Sequence, residues 1–258
     1  MDERERRRRK RKIQVYTMRF LTALAAVGIL TLLILAGVGI VRLIRGRARE
    51  TMAVSDEDME VLNGLKEQMK GKEFTLILDA GHGGNDVGTG SPDYYEKDIN
   101  MDIVKEMKEM LEYCGVEVAL TRDGDETVTL DERSSFANDS EGDRFVSIHC
   151  NYCEEDASVA GLECYYWADS MIGESYAREI VSAVEGSGQI AVRGIKTEDF
   201  HVLRETKIPA VLVETGYISN KEDRENLYDA EYQKTLSVYL VKGIIEGYLH
   251  SVQDMPSE

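Results

Sequence analysis

His82, Glu96, His149 and Glu214 lie far apart in the chain, yet their side-chain types form one chemical set. Two neutral imidazoles and a carboxylate are a common ligand set for catalytic Zn²⁺, which keeps a fourth position for water. Such a metal lowers the pKa of that water and polarises a carbonyl, so amide hydrolysis becomes feasible near neutral pH. A further carboxylate must then take the water's proton and pass it to the leaving amine. Each residue also has a plain structural reading. Glu96 fits the last position of an Asp93-x-x-Glu96 capping box, His82 a turn in a glycine-rich loop, and His149 a hydrogen-bonded core histidine. Glu214 is harder to explain that way, because an ionisable group directly after four apolar strand positions is costly to bury unless paired or functional. The Gly81-x-Gly83-Gly84 cluster makes a poor phosphate loop, since no Lys-Ser/Thr follows it.

Three apolar runs deliver these residues. Thr75 to Leu78 leads into Asp79-Ala-Gly-His82, Phe145 to Ile148 into His149, and Ala210 to Val213 into Glu214; Glu96 opens the helix after the first run. In open α/β sheets ligands bind at the carboxyl ends of the strands, so distant residues converge there. Around the runs, helical spacing is expected at Ile99 to Cys114 with a stop at Gly115, at Ile172 to Val184 and at Tyr232 to Leu249. Thr129-Leu-Asp-Glu132 reads as a capping box opening a short helix. The first strand is expected over Phe74 to Leu78, and further strands at Glu117 to Thr121, at Leu162 to Trp167 and around Val192 to Ile195. Strands alternating with helices, several of the strands continuously apolar, predict an α/β fold with one catalytic domain and a mostly parallel twisted sheet covered by helices.

Charge divides the chain in two. Residues 1–50 carry 13 Lys/Arg against 4 Asp/Glu, whereas residues 51–258 carry 18 against 44. So acidic a body is a poor partner for nucleic acid. The 22 residues from Phe20 to Val41 contain no charge and are bounded by Arg19 and Arg42. That length crosses roughly 30 Å of hydrocarbon, and the nine basic residues before it put the amino end inside. The run exceeds the core of a cleavable signal peptide, and no small-residue cleavage site follows, so an uncleaved anchor is expected. The expected layout is a basic cytoplasmic tail at 1–19, a transmembrane helix at 20–44, a stalk or peripheral helix at 45–72, the catalytic domain at 73–250 outside the membrane, and a tail at 251–258. Four cysteines, Cys114, Cys150, Cys153 and Cys164, allow three fully paired connectivities, and the sequence does not choose among them. Cys150-x-x-Cys153 has no second such pair to complete a structural zinc site, and Cys150 reads better as a small buried hydrophobe.

The segments Leu78-Asp-Ala-Gly-His-Gly-Gly84, Tyr95-Glu96, Leu120-Thr-Arg122, Leu130 with Arg133 and Ala137-Asn138, Ser147-Ile-His-Cys-Asn151, and Pro209-Ala-Val-Leu-Val-Glu-Thr-Gly216 with Ile218-Ser-Asn220 occur in this order. Together they resemble the zinc-dependent N-acetylmuramoyl-L-alanine amidases, cell-wall hydrolases of the amidase-3 type, from about Phe74 to Leu249. By that resemblance His82, Glu96 and His149 match the metal ligands of one catalytic Zn²⁺ and Glu214 the catalytic carboxylate. Arg133 matches a further site position, expected to order the site. The implied substrate is peptidoglycan, cut between N-acetylmuramic acid and L-alanine. A short anchored amidase also resembles members working in spore cortex maturation. Position 150 is usually small in that family and is Cys here, which is expected to alter the redox sensitivity of the loop. Between Trp167 and Arg178 there is no room for the autoinhibitory insertion of some relatives, so a monomer that is open, or gated by a protein regulator, is expected. Two other readings stay in play: a zinc peptidase cutting another peptidoglycan bond, and a non-catalytic wall-binding or activator protein.

Overall fold

The computed structural model describes residues 54–91 and 94–253. The expected cytoplasmic tail, the transmembrane helix, the start of the linker, Asp93 and residues 254–258 lie outside the described residues. In chain order the elements are α1 (Asp56–Gln68), β1 (Thr75–Ala80), β2 (Gly90–Ser91), β3 (Tyr94–Tyr95), α2 (Glu96–Cys114), β4 (Glu117–Leu120), α3 (Leu130–Asp139), β5 (Arg144–Asn151), β6 (Leu162–Tyr166), α4 (Met171–Glu185), β7 (Val192–Thr197), α5 (His201–Glu205), β8 (Ala210–Tyr217), α6 (Lys221–Leu227) and α7 (Ala230–Gln253).

Six strands form one sheet in the order β4-β1-β5-β8-β6-β7. All neighbours are parallel except β6 and β8, which run antiparallel. The expected mostly parallel sheet is therefore present, with one reversed pair beside the site. Strand alternation decides what each face carries. Ile77, Phe145, Tyr165, Ala210 and Leu212 pack with Ala137 of α3 and with Val202 and Leu203 of α5 in one core cluster. Two residues further along, the same face carries Asp79, Ser147 and Glu214. Helices α2 and α4 pack on the strands and α7 packs on both helices, and together they supply the second layer.

Local chemistry explains the element ends. The buried stripe of α2, Ile99, Ile103, Val104, Met107, Met110, Leu111 and Cys114, stops at Gly115, whose φ of 94° lets its N–H bond back to the carbonyls of Leu111 and Glu112. Thr129 and Glu132 form the reciprocal capping box that opens α3. Within the stretch expected to be a stalk or a peripheral helix, α1 buries Met59, Leu62 and Leu65 and packs on α2 and α7. It belongs to the same compact unit as the sheet.

Candidate active site

The strands run further than their apolar stretches, so His149 and Glu214 sit inside β5 and β8 and not just past their ends. They face each other in register, His149 opposite Glu214, so their side chains share the α3–α5 face. His82 follows β1 in a loop and holds φ at +62°, the one left-handed non-glycine residue described. Such a backbone costs about 1–3 kcal/mol and persists where the surroundings enforce it. They do so here. Arg133 of α3 donates to the carbonyls of His82 (2.6 Å) and Ala80 (2.8 Å), and Arg122 to those of Ala80 (2.8 Å) and Gly81 (3.1 Å). Arg133 also pairs at 2.5 Å with Asp79, which is fully buried and accepts from Ser147 and Thr121 as well. Arg133 is thus no exposed helix-face ion pair. It clamps the loop that carries His82 and acts through that histidine.

Glu96 is the first residue of α2, whose N-cap is Tyr95 with no side-chain cap, so the capping-box reading of Glu96 does not hold. Its carboxylate instead collects donors. Oε1 lies 3.1 Å from His82 Nε2 and 3.0 Å from His149 Nδ1, and accepts from Cys150 N–H and the Asn100 amide; Oε2 accepts from Thr89 N–H. One ligand atom from each of His82, Glu96 and His149 falls within 4.8 Å of the others. At metal bonds of about 2.1 Å and tetrahedral angles, ligand atoms stand about 3.4 Å apart, close to the carboxylate–imidazole separations here. His82 also presents Nδ1 to Asp86 Oδ2 at 2.9 Å, an outer carboxylate that fixes the tautomer leaving Nε2 free to ligate. A Cβ on Gly88 would fall 2.5 Å from Glu96 Oε2, so the glycine lets the chain pass close over the site. The donor set and its spacing fit a zinc ion.

Electrostatics agree with the geometry. Burial alone would lower the His82 pKa, but the carboxylates of Glu96 and Asp86 outweigh it and push the imidazole up to about 9. Burial would raise Glu96, and its hydrogen bonds to His149 and His82 hold it far below the usual carboxylate range. Glu214 has no such help: burial pushes its carboxyl up to about 7, and its Oε2 has no partner. These groups line one cavity of about 610 Å³ with Asn151 and Tyr152 of the β5 end, Leu130 of α3 and Phe200–Val202 of α5. The structure brings His82, Glu96 and His149 together, sets Glu214 beside them and places Arg133 in the lining of the same cavity. All four cysteines are free thiols. Cys150 is buried and its thiol is pushed up by desolvation, in keeping with the small buried packing group that the sequence suggested.

A cavity at the carboxyl side of a mostly parallel sheet, with a His-Glu-His cluster that could hold a metal ion and a buried carboxylate in register beside it, is the arrangement of a hydrolase on an α/β scaffold. Residues 76–246 match the Amidase_3 family, described as N-acetylmuramoyl-L-alanine amidase, and the chain belongs to that family. It is 37% identical over 185 residues to the uncharacterized protein YqiI of Bacillus subtilis (strain 168), covering 70% of this chain and 87% of that one. It is 36% identical over 179 residues to the probable cell wall amidase LytH of Staphylococcus epidermidis, covering 68% of this chain and 58% of the relative, so it spans little more than half of LytH. The crystal structure of an N-acetylmuramoyl-L-alanine amidase from Clostridium difficile 630 superposes with a TM-score of 0.64 at 31% identity, over 71% of this chain and 99% of that one. The CwlD amidase from Clostridioides difficile, solved in complex with the GerS lipoprotein, superposes with a TM-score of 0.62 at 30% identity, over 69% and 99%. The chain is a cell-wall amidase of this family, acting on the bond between N-acetylmuramic acid and L-alanine.

Proposed function

We propose that His82, Glu96 and His149 hold one Zn²⁺ and that Glu214 is the proton carrier of the amidase reaction. The observation that carries this reading is the register pairing of His149 with Glu214, which fixes a metal ligand and a buried carboxylate on one face of two neighbouring strands. When bound, Zn²⁺ supplies Lewis acidity that polarises the lactyl carbonyl and makes a water acidic enough to attack near neutral pH. Glu214, ionised at the start, accepts the proton which that water sheds. Its protonated form, favoured by burial, then carries the proton to the departing alanine nitrogen. Asp86 keeps the His82 ring oriented, and Arg133 and Arg122 keep its backbone in place. A glycosidase needs two carboxylates flanking a sugar, and here only Glu214 among the cluster stays free of the ligand set.

The setting of the reaction is part of the proposal. The basic tail and uncharged run anchor the enzyme in the cell membrane as a single-pass protein with its catalytic domain outside, acting as a monomer on nearby wall. The complex of CwlD with a lipoprotein supports a protein regulator for this chain too, and a part in spore cortex maturation is a candidate role. Digestion of purified peptidoglycan by residues 52–258 tests the chemistry. Stem peptides with new amino-terminal L-alanine and muramic acid with a free lactyl carboxylate should appear, and a chelator should stop their release. New reducing ends, or new amino groups on another residue, would overturn the assignment.

A further inference from the structure

The row of polar residues does not end at Glu214. On β6, antiparallel to β8, Glu163 stands directly opposite Glu214, and on β7 its partner is Gly194, with Arg193 just before it and Lys196 two residues on. Glu163 is fully buried, and its oxygens are crowded with donors. Oε1 accepts from Arg193 Nε and Lys196 Nζ, both at 2.6 Å, and Oε2 from the Tyr165 hydroxyl at 2.6 Å and the Asn151 amide at 3.4 Å. Asn151 also lines the catalytic cavity, so the cluster borders it. One buried carboxylate is neutralised by one cation. Here it holds two, leaving a surplus positive charge in a body where acids outnumber bases 44 to 18.

Both cations keep donors in hand. Arg193 uses only Nε on Glu163 and its side chain is 40% exposed; Lys196 uses one of its N–H groups and is 46% exposed. The Tyr217 and Tyr165 rings lie 5.8 and 5.9 Å from the two charges and shelter them from solvent on one side. Strands lie about 4.8 Å apart, so heads that reach back from β7 over β6 stand about 10 Å from the His149 strand. That is the length of two to three extended residues. Glu214 lies between the metal ligands and this cluster, and its proposed role as proton donor to the leaving nitrogen directs the departing peptide toward Arg193 and Lys196.

Resting on the amidase reading, we propose that Arg193 and Lys196, held by Glu163, form a subsite for a free carboxylate on the second or third residue of the departing stem peptide. The cluster sets substrate selectivity and takes no part in bond breaking. The test compares an N-acetylmuramoyl tripeptide bearing free carboxylates with the same compound converted to its primary amides, using residues 52–258 loaded with zinc. Wild type should favour the carboxylate form about tenfold in kcat/KM, mainly through KM, and added salt should shrink the ratio. Arg193→Met and Lys196→Met should each bring the ratio toward one, whereas Lys196→Arg should keep it. Equal treatment of both peptides by wild type, or an equal loss on both in the methionine variants, would overturn the subsite while leaving the amidase reading intact. Cleavage of neither peptide would overturn both. If a methionine variant fails to fold, the wild-type ratio and its salt dependence decide alone.

Discussion

Asp79 and Glu214 carry the same mark in the sequence, a carboxylate at the end of a run of apolar strand residues, and the structure gives them opposite fates. Asp79 is fully buried but surrounded by Arg133, Ser147 and Thr121, whereas Glu214 is buried with an oxygen left unpaired. The mark shows that a carboxylate is held at a cost; only the partners tell whether it anchors structure or moves protons. Glu214→Gln should retain zinc, measured by metal content, and lose about 10²- to 10⁴-fold in turnover. In the proposed mechanism Glu214 is a base in its ionised form, so kcat/KM should climb tenfold per pH unit up to about 7, with bound metal drawing that limb lower through its positive charge. The same raised pKa means that folded Glu214 holds its proton to higher pH than the unfolded chain does. Metal-free protein should therefore lose stability between about pH 4.5 and 7, and Glu214→Gln should flatten that slope in thermal melts. A near-normal rate in the glutamine variant would remove Glu214 from the mechanism.

Elements with a strong period were readable and those defined by pairing were not. The stripe and glycine stop of α2 and the capping box of α3 depend on neighbours in sequence, so they could be anticipated. The five residues of α5 and the two-residue strands β2 and β3 are too short to show a period. That β6 turns antiparallel against β8 depends on chain path, which is why Glu163 drew no attention in the sequence although its strand was expected. Asp86 escaped, and Arg122 was visible only as part of a motif without a role, for a similar reason, since each acts on a backbone or ring brought to it by the fold. The loop of His82 depends on α3 through Arg133. Arg133→Leu strips a buried carboxylate of its cation and frees three carbonyls, so a loss of about 3–5 kcal/mol in unfolding free energy is expected, together with weaker zinc retention. Lysine at this position should recover only part, because it lacks the fork that serves two carbonyls at once. Unchanged zinc affinity in the leucine variant, measured by competition with a chelator, would separate the clamp from the metal site.

For the whole molecule the sequence speaks through charge. The basic first 50 residues and the acidic remainder differ sharply in charge, and the proposed topology sets the membrane between them. Protease added to intact protoplasts should remove the acidic body, and protection of the body with loss of the basic tail would reverse the orientation.

The sheet order carries a consequence for how such an enzyme diverges. Strand β7 is a rim strand with a single hydrogen-bonded neighbour, whereas β5 and β8, which bear His149 and Glu214, are each bonded on both sides. A substitution on β7 disturbs one ladder and leaves the reaction centre in place. A lineage that meets cell walls of altered charge can redraw its diet at Arg193 and Lys196 while inheriting the chemistry unchanged.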